Sequence, residues 1–158
     1  MAINIGIIAE HRGTQLGPDY TMINKVAASP FDGLLTTVEI WAEVALEGCK
    51  VGSFYGIDRN LQCRDFAIIG AVPADSVQTF PDLEIAVLAG DLIGMYFTVG
   101  KISEDIFGQD GLYYESGDQF ETGEIYYSYG AAWGISLGGL VEGAPPAPAG
   151  HSRAFVIG

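Results

Sequence analysis

The sequence predicts an all-β domain, a jelly-roll-like antiparallel β-sandwich of about eight to ten short strands. Three observations carry that expectation. Apolar residues alternate with polar ones at period two through residues 34–44. Turn residues recur at short intervals, and no stretch keeps a helical period. The 49% hydrophobic and 17% charged composition is the opposite of a disordered chain's, so a packed core is expected. At 158 residues one such core suffices, and residues 1–142 are assigned to it.

The clearest element comes first. Val38, Ile40, Ala42 and Val44 alternate with Glu39, Trp41 and Glu43, as on a strand with one buried face. A helix would spread both glutamates and the tryptophan around its circumference. Leu46, Glu47 and Gly48 read as a turn, residues 50–57 as a strand, residues 58–60 as a hairpin tip, and residues 61–70 as the returning strand. Residues 73–76 form a turn, and a short strand follows around Phe80. Leu83, Ile85 and Val87 share a face. After a turn at Gly90, residues 92–99 read as a strand buried on both sides. Within it Gly94 marks a bulge or a close backbone approach. Residues 100–122 look irregular, and residues 123–129 and 133–137 look strand-like. Residues 3–8 are a further strand candidate, and residues 20–28 are the best candidate for a short helix.

Residues 143–158 form a second unit. Gly143 to Gly150 is rich in Pro and Ala, which makes a stiff, extended linker. Beyond it Arg153, Phe155, Val156 and Ile157 read as a terminal strand. Such a strand folds back on its own sheet or adds to the edge of a neighbour, as an assembly arm.

Charge narrows the partners. The net charge is −13, with seven Lys and Arg in all. Nucleic acids and anionic membranes are therefore not expected as partners. No basic start followed by an apolar run opens the chain, so no signal peptide is expected and synthesis in the cytoplasm is. Cys49 and Cys63 are expected to be reduced. Pairing around residues 58–60 would set Cys49 opposite residues 66–68, not opposite Cys63.

Residues that could carry chemistry are few. His11 and His151 sit in turn-like segments, and no nucleophile elbow occurs, so no enzyme is expected. Glu39 and Glu43 flank Trp41 on one strand face, which is a pattern glycosidases use. A solvated strand face is the expected reading, since a sandwich of this size with short loops seldom builds a deep cleft. Seven carboxylates and one Lys fall between residues 101 and 130. No resident cofactor is expected, but Asp105, Asp110, Asp118 and Glu121 are hard oxygen donors on a Gly-rich segment and would suit Ca²⁺. Trp41, Tyr113 and Tyr114 are the candidates for stacking on a glycan.

Several runs resemble small proteins of phages and prophages: Val38-Glu39-Ile40-Trp41-Ala42, Lys50-Val51-Gly52-Ser53-Phe54-Tyr55, Cys63-Arg64-Asp65, residues 89–97 and residues 111–118. The resemblance covers about residues 36–137 and supplies no catalytic residues. It implies a β-sandwich virion protein, a capsid decoration (cement) protein or a part of a tail or fibre. Its partners would be other copies of itself and a major capsid or tail protein. A carbohydrate-binding module is the alternative.

Overall fold

The computed structural model describes residues 2–143, and among them there is no helix. The N-terminal part holds β1 (Ala2–Gly6), β2 (Thr14–Leu16) and β3 (Tyr20–Asn24). One long strand follows, β4 (Gly33–Ile57), then its hairpin partner β5 (Asn60–Val72). Next come β6 (Val77–Phe80), β7 (Ile85–Val87), β8 (Leu92–Tyr96) and β9 (Val99–Asp105). The last third holds β10 (Leu112–Ser116), β11 (Ile125–Tyr126) and β12 (Ser128–Gly130). It ends in β13 (Gly134–Ile135) and β14 (Leu137–Gly143). All pairings between these strands are antiparallel, and they join into one large sheet that β4 folds into layers. The all-β, sandwich-like expectation holds.

β4 is the axis. Its first half pairs with β14 on one side and with β6 and β7 on the other, and β1 borders β14. Its second half lies between β5 and β8, and the layer continues through β3 and β10 to β12. Its middle pairs with β9, which also holds β2 and β13. Ile5, Leu35, Val38, Ile40 and Val141 of the first layer bury against Met22, Val51, Ile93 and Met95 of the second. A second cluster forms around Phe54, Tyr113, Phe120 and Tyr127. There the Phe120 ring stands edge-on to Phe54 at 5.1 Å and to Phe66 at 5.4 Å.

Five local expectations change. The turn at Leu46–Gly48 is instead a bent stretch inside β4, where the register shifts repeatedly against β5 and β9. Gly48 adopts φ +65 there. Extra residues at bulges let one strand leave one layer and enter the next. The bend also turns Val44 outward, against its expected burial. Residues 20–24 form β3 and not a helix. It sits between β8 and β10 and buries Thr21, Met22, Ile23 and Asn24 together. The run 92–99 breaks after Tyr96, and residues 100–122 are not irregular throughout but hold most of β9 and all of β10.

The hairpin tip is as expected, with Ile57 opposite Asn60 and Asp58 at φ 55. Cys49 faces Gly70 and Cys63 faces Phe54, so the two thiols are free. The register shift between Cys49 and Lys50 moves the partner beyond residue 68. Burial pushes both thiols up to about 12, which leaves them protonated and unreactive.

Gly94 is the expected close approach. A Cβ there would lie 2.8 Å from Ile23 and from Phe54, and 2.9 Å from the Met22 carbonyl oxygen. Gly94→Ala should therefore cost about 1–3 kcal/mol by overpacking. Urea unfolding monitored by tryptophan fluorescence measures it.

Candidate functional site

The densest polar network is built by the segment that follows β1. Residues 7–16 form a strap that leaves β1 and enters β2, and its centre is Arg12. The Arg12 side chain is 6% exposed. Its Nη1 donates to Asp105 Oδ2 at 2.7 Å, its Nε to Ser136 Oγ at 2.8 Å and its Nη2 to the Ile8 carbonyl at 2.5 Å. The Arg12 backbone N–H donates to Ser103 Oγ at 2.7 Å, and the Ser136 hydroxyl donates to the Glu10 carbonyl at 2.5 Å. Strand alternation explains the arrangement, because Ser103 and Asp105 project from one face of β9. Burial would raise the Asp105 carboxyl, but Arg12 and Gln109 outweigh it and hold the group below its ordinary value.

Beside this web, His11 Nδ1–H donates to Glu43 Oε2 at 2.7 Å, and the imidazole lies tilted 6.4 Å from the Trp41 ring. Burial would raise Glu43 too, but its bonds with His11 and Ser103 hold it below its ordinary value. The Trp41 indole Nε1 is buried and has no hydrogen-bond partner among the described residues. On the opposite face of β9, Glu104 is 3% exposed. Its Oε1 accepts from the Thr14 hydroxyl at 3.2 Å, and its Oε2 has no partner among the described residues. Burial pushes this carboxyl up to about 7, and the Asp105 charge adds to the effect.

The strap also borders a surface trough of about 270 Å³. Ile8, Asn4, Thr37, Glu39 and Leu140 line it over the glycine pair Gly138 and Gly139. Small-molecule sites run to about 300–1,000 Å³, so this shallow feature suits a chain segment better than a drug-sized ligand. β1 forms its wall and pairs with β14 alone among the described strands. Gly6 N–H is capped by the Ala27 carbonyl at 3.2 Å. The edge itself carries no charge and no proline over Ala2–Gly6.

The residues singled out from sequence are dispersed. Trp41 and Glu43 belong to the strap site, and Glu39 to the trough. Tyr113 does not face solvent as a glycan platform would. It fills the second core cluster, 5.3 Å from the Tyr129 ring. Tyr114 stacks on Trp133 at 5.4 Å, on a strand that does not pair with β4. The four cation candidates do not converge, and no group of three acidic, His or Cys side chains forms a metal site among the described residues. Asp105 is bound to Arg12, Asp118 forms an ion pair with Lys50, and Asp110 and Glu121 are exposed. Arg153, Phe155, Val156 and Ile157 lie outside the described residues.

His11, Arg12, Ser103, Glu104 and Ser136 had no local sequence signal. A further ion pair had no sequence signal either: Arg64 lies over the Tyr55 ring at 4.0 Å and binds the buried Asp91. No family model, curated protein or solved structure matches the chain.

Proposed function

We propose that the protein is a structural component of a viral particle, a capsid decoration protein that holds the particle surface and neighbouring copies by strand addition. The observation that carries this reading is the open edge of β1. Sheet edges are normally protected by charges, prolines or covering segments. This one has neither charge nor proline, and it runs beside a trough in which Ile8 and Leu140 face Asn4, Thr37 and Glu39. Ile8 at its end is 73% exposed. β14, which borders β1, runs in sequence into the Pro-rich linker and arm of residues 143–158. An arm of this composition spans about 3 Å per residue, enough to carry Arg153 to Ile157 onto a neighbour's β1. The acidic surface would keep coated particles apart, and the partner beneath would be a major capsid or tail protein. Glycan binding draws less support, since Trp41, Tyr113 and Tyr114 form no common platform.

Light scattering after size exclusion tests it. The full chain is expected to self-associate, and a chain ending at Gly143 to run as a monomer. An unchanged monomer in both would overturn strand addition by the arm. The genes beside this one are expected to encode capsid or tail proteins.

A further inference from the structure

We propose that the strap of residues 7–16 is a pH-operated clasp, closed while Glu104 is protonated and released when it ionises. The inference rests on the fold and stands apart from the assembly reading.

Glu104 Oε2 is the one buried carboxylate oxygen without a hydrogen-bond partner among the described residues. Glu104 sits between Thr14 of β2 and Ile135 of β13 in the register. It shares its face of β9 with Ile102, which is wholly buried. Among the described residues, the groups around it offer no counter-charge. β2 brings the Thr14 hydroxyl, which is shared with the Glu104 carbonyl oxygen at 2.8 Å. β13 brings Ile135. On β9 itself the neighbouring charge is that of Asp105, which is repulsive. The cation of the strap, Arg12, is turned to the other face and bound to Asp105 and Ser136. Glu43 of β4 is held by His11.

An ionised carboxylate in that position would be shut off from solvent, with the shared Thr14 hydroxyl as its one side-chain donor among the described residues and none at Oε2, a state that proteins avoid. Detaching β2 from β9 is the smallest motion that admits water, because β2 is three residues long and pairs with β9 alone among the described strands. The direction follows from linkage. The closed strap holds the carboxyl near 7 against an ordinary value of 4.5. Closure is therefore fully favoured below about pH 4.5 and weakens as pH rises through about 7.

Native-state hydrogen exchange on the full chain tests this, with intrinsic rates corrected at each pH. Protection of the Thr14–Leu16 amides should fall roughly 10–100-fold from pH 5 to pH 8, while Met22 and Ile23 stay unchanged. Glu104→Gln should flatten the strap's profile. A flat wild-type profile, or the same fall in both proteins, would overturn the proposal. If the variant does not fold, the wild-type Glu104 carboxyl can be titrated directly by carbon-13 NMR. A midpoint near 4.5 would then overturn it, and one near 7 would support it.

Discussion

Asp91→Ala is expected to destabilise the protein by about 2–3 kcal/mol, because it removes a buried carboxylate that accepts three hydrogen bonds, two of them from the half-buried Arg64. Asp91 is buried at the turn before β8. Its carboxylate accepts from Arg64 Nε at 2.6 Å and Nη2 at 3.1 Å, and from the Leu88 N–H at 3.0 Å. Its backbone carbonyl accepts from Ser29 N–H at 2.9 Å. The carboxylate therefore ties β5 to the turn between β7 and β8. Losing it strands a guanidinium against Tyr55 and leaves the Leu88 N–H unpaired. For a chain of this size the melting temperature should fall on the order of 10 °C. Asp91→Asn keeps acceptor and shape but not charge, so it should lose clearly less. Urea denaturation of both variants measures the difference. A loss below about 1 kcal/mol in the alanine variant would mean that Arg64 simply swings into solvent.

The same chemistry explains what could be read from the sequence. The first half of β4 was legible because one of its faces is core and the other is solvent, which writes period two into the residues. β3 was not, because Met22 packs into one core cluster and Ile23 into the other, and Thr21 to Asn24 are all buried. A strand without an exposed face has no alternation to read, and its apolar run looks like a helix segment. β9 was hidden differently. Ser103, Glu104 and Asp105 look like loop residues, yet all three are drawn in by partners far away in the chain. Arg12 lies 91 residues from Ser103 and 124 from Ser136. No local spacing announces such a web. The acidic region gave a false signal for the same reason. Its carboxylates suggested a cation site, but Arg12 and Lys50 had already taken Asp105 and Asp118.

The arginine at the centre of the strap gives the other large effect. Arg12→Met keeps much of the stem's packing and removes every hydrogen bond of the guanidinium. Asp105 then loses its cation, and Ser136 and the Ile8 carbonyl each lose a donor. The expected cost at neutral pH is about 3 kcal/mol or more. Its pH dependence identifies the cause. Asp105 is held below its ordinary 3.8 in the folded protein. That contribution is present above about pH 3.8 and is lost as pH falls through the folded value. Wild type and Arg12→Met should therefore draw closer in urea midpoint between pH 7 and pH 3. Glu104 pulls in the opposite direction, since its contribution disappears as pH rises toward 7. The two carboxyls on adjacent residues of β9 thus bracket the strap, one failing in acid and the other toward neutrality. This part of the fold is predicted to be firmest near pH 4–5, between the two limits. A gap between wild type and variant that stays constant from pH 7 to pH 3 would show that Arg12 holds the strap by packing and not by its charge.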